Sequence, residues 1–279
     1  MISSRNFAPS AKLLPFLRRH YLVSANLPDE LEFEDLLIAD NAFVRVLLRG
    51  DWAWWNGGTW ENLHGPLLFG ANSRALKVRV RGPFSVAAFS FRPSAWTSLV
   101  DSPATQFADR IVPLKEAWDP AIVDALMLAA SDAPNDEACV ERMEAVIERQ
   151  LDHVGRNRVD PVVASFESIA RSDSTIKVEA AAKLLGLSPR QLERRCLASF
   201  GLSPKAVLQR CRFLDMAAAM RGLSQADEAE LAALRFFDQS HLNREFRRYT
   251  GMTPGAFQRL QSPLFTASLD LRESGKALA

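Results

Sequence analysis

A stretch of this chain recurs fifty residues downstream in the same register, and that repeat limits what the C-terminal half can fold into. Leu192-Glu193-Arg194-Arg195-Cys196, then Phe200-Gly201-Leu202-Ser203-Pro204, aligns with Leu242-Asn243-Arg244-Glu245-Phe246, then Thr250-Gly251-Met252-Thr253-Pro254. Upstream, Ala182 falls on Ala232 and Leu184 on Leu234. One copy would be a single helix and its cap. Two copies in register are one supersecondary unit used twice.

The unit reads as a helix-turn-helix. Spacing predicts a helix over 176–185, with Ala180, Ala181, Leu184 and Leu185 at helical intervals. Gly186 allows a turn at positive φ, and Leu187 can pin that turn to the core. Ser188-Pro189 then restarts a helix, serine as N-cap and proline at a position that loses no bond. Leu192, Cys196 and Phe200 make its inner stripe, leaving Arg190, Gln191, Glu193, Arg194 and Arg195 outside or at the edges. In the second copy the first helix covers 227–237, with Leu231, Leu234 and Phe237 inward. Asp238 caps a helix over 239–249 whose core side is Leu242, Phe246 and Tyr249. Its outer face carries Gln239, Ser240, Asn243 and Arg244. Ser203-Pro204 and Thr253-Pro254 each begin a further helix, and the one running to about Met220 is a stiff spacer between the units.

A capped helix with a polar, arginine-rich outer face suits the major groove, where N-terminal side chains meet base edges. Arginine pairs bidentately with guanine, and asparagine or glutamine with adenine. Exposed arginines are also common on any solvated helix face; the duplication and the charge distribution favour the nucleic-acid reading. Residues 171–260 hold 15 Lys plus Arg against 9 Asp plus Glu, a net +6 in a chain of net +1, so the remainder carries −5. That asymmetry is the footprint of a DNA-binding module beside a mildly acidic partner domain.

The segments 186–195, 201–205, 238–246 and 251–254 resemble the AraC/XylS family of bacterial transcription regulators. The resemblance covers roughly 160–262. It implies base-reading roles for Arg190, Glu193 and Arg194 in the first unit, and for Gln239, Ser240, Asn243 and Arg244 in the second. Gln191 flanks the first set, and Lys205 and Arg248 are candidates for backbone phosphates. It also implies an N-terminal sensor or dimerisation domain, and RNA polymerase as a partner. This chain departs from the family at Arg235, where a turn glycine is usual, and at Cys196, where phenylalanine is usual. A glycine-like turn at Arg235 would weaken or re-angle the second unit.

Residues from about 31 to 115 read differently. Residues 43–48, 76–81 and 84–91 are short strand-like runs, interrupted by Gly50-Asp51, Asn56-Gly57-Gly58 and Gly82-Pro83. Leu76, Val78 and Val80 alternate with Lys77, Arg79 and Arg81, as on a strand with one wet face. The expectation is a small β-barrel or cupin-like domain. Helices are expected over 93–99, 120–130 and 137–153. The last carries Val140, Met143, Ile147 and Leu151 on one side, to seal the barrel or to meet a copy of itself in a homodimer. The fold class is therefore α+β: a β-rich domain over 1–155, a tandem helix-turn-helix domain over 156–262 after a linker near 155–160, and a tail over 263–279.

Little points to an enzyme. His20 and His64 are isolated, so no metal site and no cofactor are expected, and there is no phosphate-binding glycine loop, Gly-x-Ser-x-Gly or Cys-His pairing to suggest catalytic residues. No apolar run approaches a membrane span, and residues 1–6 lead into no secretory core, so a cytoplasmic protein with no membrane contact is expected. Its three cysteines are then reduced. Trp52, Trp54, Trp55 and Trp60 admit two readings. Trp52, Trp54 and Trp60 line a pocket for an apolar effector, or the four pack across a hairpin; adjacent Trp54 and Trp55 face opposite ways on a strand. The leading function is sequence-specific recognition of double-stranded DNA at two successive major-groove segments, as an activator or other transcription regulator responding to a small molecule. The competing class is an N-terminal ligand-binding or enzymatic domain with a C-terminal protein-interaction module.

Overall fold

The computed structural model describes residues 2–223 and 239–274. The N-terminal domain is built around its longest strand. The alternation of Leu76, Val78 and Val80 with charged residues does give a strand, and it continues unbroken through Gly82-Pro83 as β7 (Leu76–Phe91). The Gly82-Pro83 break expected from sequence is absent because β7 is held at the edges by three partners. β2 (Leu17–Ala25) pairs with its second half, β3 (Glu32–Leu37) with its first, and β4 (Phe43–Trp55) with both. Gly50-Asp51 likewise does not end β4; register shifts between Leu47 and Asp51 absorb it as bulges. β1 (Ile2–Phe7), β5 (Trp60–Leu63), β6 (Pro66–Phe69) and β8 (Ile111–Pro113) complete one antiparallel sheet ordered β1-β2-β7-β4-β6-β8.

The period of two sorts this sheet into two apolar faces. On one, Val44, Val46, Ala87, Phe89 and Phe91 pack under α1 (Trp96–Leu99), α2 (Pro120–Ser131) and α3 (Asp136–Val154). The α3 stripe of Val140, Met143, Ile147 and Leu151 is buried, Met143 and Ile147 completely, so this helix seals the sheet. Each such side chain contributes about 1.5–3 kcal/mol by burial. His20 of β2 reaches Glu144 of α3 at 3.0 Å and fixes the helix in register. The other face holds Tyr21, Phe43, Trp52, Phe69, Val78 and Phe84.

The C-terminal half is helical. After the linker come α4 (Pro161–Ser172), α5 (Val178–Leu184), α6 (Pro189–Phe200), α7 (Pro204–Met220), α8 (Gln239–Thr250) and α9 (Pro254–Arg259). The expected helix over 227–237, its residues Leu231, Leu234 and Phe237, the cap Asp238 and the departure at Arg235 lie outside the described residues. The segment expected as a tail is a helix, α10 (Pro263–Ser274), and it belongs to both halves. Leu264 and Leu271 join the second face of the sheet, while Phe265 and Leu269 join the core of α7, α8 and α9. Asp35 of β3 holds its start: the carboxylate accepts from the Leu264 N–H at 2.8 Å and from the Ser262 hydroxyl.

The two halves share more than this helix. Arg210 of α7 is buried and donates to the Asp40 carbonyl at 2.6 Å and to the Asn41 side chain. The Ala75 N–H donates to the Tyr249 carbonyl at 2.7 Å. The linker is pinned as well, through the Asp160 N–H to the Ser94 carbonyl at 2.8 Å and Ser98 Oγ to the Arg158 carbonyl at 2.8 Å.

Candidate nucleic-acid interface

The first helix-turn-helix follows from local chemistry. In α5, Ala181 and Ala182 are buried, whereas Leu184 is 71% exposed. The sequence periodicity placed Leu184 inward; α5 is short, and two adjacent alanines rotate its buried face one step away. Gly186 adopts φ +67°, and the Leu187 N–H bonds back to the Ala182 carbonyl at 2.9 Å, closing the turn. Ser188 then caps α6 in a reciprocal box. Its Oγ accepts from the Gln191 N–H at 3.3 Å, and its own N–H donates to Gln191 Oε1 at 2.8 Å. Gln191 is thus occupied in capping, which its position on the exposed face did not reveal.

Leu192, Cys196 and Phe200 of α6 are buried against α4 and α7, with Phe166 meeting Phe200 edge-on, ring centroids 5.9 Å apart. This leaves Arg190, Glu193 and Arg194 exposed, and neither arginine makes an ion pair among the described residues. Arg195 is different: it bridges Asp160, the N-cap of α4. The far end of α6 abuts the N-terminal domain. Gly201 sits at φ +71°, and a Cβ there would lie 2.8 Å from the Ala104 carbonyl oxygen, so both backbone shape and cross-domain contact require glycine.

The second unit is described from α8 onward. Phe246 and Tyr249 are buried, Tyr249 stacked on Phe213 of α7 at 4.6 Å, and Leu242 is partly buried. Ser240 and Arg244 are exposed and Asn243 is half-buried; Gln239 begins the helix, and its side chain lies outside the described set. Arg248 is exposed but donates to Gln209 of α7 at 2.8 Å. Lys205 is exposed in the first turn of α7. α6 and α8, each with an exposed polar face, thus both pack against α7. Its 17 residues span about 25 Å.

The four tryptophans are not brought together. Trp52 and Trp54 share one face of β4; Trp52 is buried edge-on to Phe84 at 5.2 Å, and Trp54 donates to Glu61 at 3.0 Å. Trp55 and Trp60 pair across the hairpin, ring centroids 5.6 Å apart, with Arg79 over Trp60 at 4.7 Å. One pocket shared by Trp52, Trp54 and Trp60 is therefore not formed, and cross-strand packing accounts for Trp55 and Trp60. Among the described residues no group of three or more His, Cys, Asp or Glu is placed to hold a metal ion, and no helix is long and apolar enough to cross a membrane.

Residues 181–260 match HTH_18, a helix-turn-helix domain, and residues 5–113 match DUF6597, a domain of unknown function. No curated protein matches. Among solved structures, ToxT from Vibrio cholerae bound to an unsaturated fatty acid is similar over 86% of this chain and 94% of its own, at 10% identity and a TM-score of 0.46. A second ToxT structure covers 92% of this chain and 97% of its own, at 11% identity and TM-score 0.46. The AraC-like transcriptional activator CuxR covers 84% and 90%, at 13% identity and TM-score 0.25. A helix-turn-helix domain beside a sheet-rich domain is the make-up of a DNA-binding transcription regulator. The helix-turn-helix domain over 181–260 is of the AraC type.

Proposed function

We propose that this regulator reads two successive major-groove segments, α6 entering one and α8 the next, under the control of a small molecule received by the N-terminal domain. The observation that carries the reading is two exposed, polar helix faces, those of α6 and α8, on helices that both pack against α7. Arg190, Glu193 and Arg194 of α6, and Ser240, Asn243 and Arg244 of α8 with Gln239, meet base edges. Groove centres on one face of a duplex lie roughly 34–36 Å apart, a span that α7 and the two recognition helices together can cover. Lys205 and Arg248 hold phosphates. RNA polymerase is the partner downstream, and a homodimer is not required, because a monomer already carries both units.

The docking of α6, α8 and α10 on the sheet domain supports effector control, since a change in that domain bears directly on the angle between the recognition helices. ToxT, bound to an unsaturated fatty acid in one of its structures, offers a precedent for such a ligand. Removing a base-reading arginine separates this reading from a phosphate-binding one. Arg194→Ala or Arg244→Ala should cost about 1–3 kcal/mol at the preferred site and relax specificity at one base position. Fluorescence anisotropy on matched and mutated duplexes measures both. An equal loss on every duplex would reassign these arginines to the backbone.

A further inference from the structure

The second face of the sheet carries more buried positive charge than the fold can satisfy. Three strands place it there by register. In one rung Arg19 of β2 and Phe43 of β4 flank Ser90 of β7; in the next, Tyr21 and Arg45 flank Ala88. The two arginines thus sit diagonally across β7, over the small side chains of Ala88 and Ser90, and a pocket of about 30 Å³ remains between them. That is room for one or two waters, or for a carboxylate head.

Arg45 is only 7% exposed, and its Nε and Nη1 have no hydrogen-bond partner. Rings of Phe43, Trp52 and Phe69 surround its guanidinium at 5.0–5.6 Å, with Tyr21 beside it. Arg19 is 5% exposed; it donates to the Leu271 carbonyl of α10, its Nε is unpartnered, and Asp40 lies 3.5 Å from its Nη2. Ser90 Oγ also lacks a partner. Two guanidiniums therefore face one carboxylate, and four buried donor atoms are unmet. Cation–π contacts with three rings offset part of the cost for Arg45 but satisfy none of its N–H groups. An unpaired buried charge is a costly feature unless a counter-ion arrives.

We propose that this pocket binds the carboxylate of an organic anion, held between Arg45 and Arg19 and against Ser90. The planar fork of a guanidinium suits the two oxygens of a carboxylate. The apolar body of the ligand leaves along Leu37, Ile38 and Leu271, which line the same opening. One wall is α10, whose Arg272 bridges Asp215 of α7 at 3.0 Å, so an anion drawn to Arg19 bears on the helix joining the two recognition units. This gives a chemical class to the effector of the proposed regulator and depends on that reading only for its regulatory consequence.

The test needs no DNA. Full-length protein is titrated with sodium octanoate by calorimetry, with octanol and sodium chloride at matched concentration as controls, and its unfolding midpoint is followed. Octanoate should bind at one site and raise the midpoint, and neither control should. Arg45→Gln should weaken octanoate at least tenfold. Ser90→Val, which fills the pocket and leaves both charges, should weaken it similarly and decides the matter if Arg45→Gln does not fold. The proposal is overturned by no octanoate binding to the wild-type chain, by unchanged affinity in the folded variants, or by chloride matching octanoate. Selection of DNA sites without octanoate would be unaffected by any of these results.

Discussion

At the scale of single residues, neighbours within a few positions were enough to read some roles and not others. Ser188, Pro189 and Gly186 carry their meaning locally: each satisfies or forbids a particular backbone state at a helix end, and all three do so here. Gln191 and Leu184 show the limit. Whether a glutamine at the third helical position caps or points outward depends on its rotamer, and whether a leucine is buried depends on what lies over it. Arg45 was opaque for the same reason. In sequence it is one more charge in a strand, and only the registers of β2, β4 and β7 bring it to Arg19 and Ser90. Cys196, standing where phenylalanine is usual, is fully buried and behaves as a small apolar side chain. Burial pushes its thiol well above the ordinary range, and pushes that of Cys139 up to about 11. Both should stay neutral near pH 8. Iodoacetamide at that pH should leave Cys139 and Cys196 unlabelled in the folded protein and alkylate them after denaturation, as peptide mass spectrometry would read. Rapid native labelling of either would contradict their burial.

At the scale of elements, helices with strong caps were legible to within a residue or two: α6 and α7 follow their Ser-Pro signals. Strand ends were not. Gly50-Asp51 and Gly82-Pro83 are local breakers, yet β4 and β7 pass through them, because ladder pairing on both sides outweighs a weak propensity and bulges absorb the mismatch. The role of α10 was hidden entirely. Its apolar positions, Leu264, Phe265, Leu269 and Leu271, face two different cores, so they make no single stripe for periodicity to find. What seats this helix is Asp35, more than two hundred residues away in sequence, receiving the Leu264 N–H where the helix begins. Asp35→Ala should therefore cost about 1–2 kcal/mol, as loss of a helix cap does. Denaturant unfolding would give the cost, and proteolysis should cut within 263–274 first. Unchanged stability and an uncut C-terminal segment would show that α10 is held by its apolar face alone.

At the scale of the whole molecule, the division into a sheet domain and a helical domain was visible from composition and from the repeat, because each half has its own periodicity and charge. How the halves meet was not visible. Arg210, Gly201, Ala75 and α10 join them through contacts whose partners are remote in sequence. The result is that the two exposed polar faces of α6 and α8 are both carried on α7 while the sheet domain contacts α6, α8 and α10. Central to the proposed function is that those two faces read DNA together. Selection of sites from random duplex DNA with the full-length protein at physiological salt tests this most directly. It should enrich sequences with two short conserved blocks about one helical turn apart. A single block, or no enrichment over unselected DNA, would contradict tandem reading.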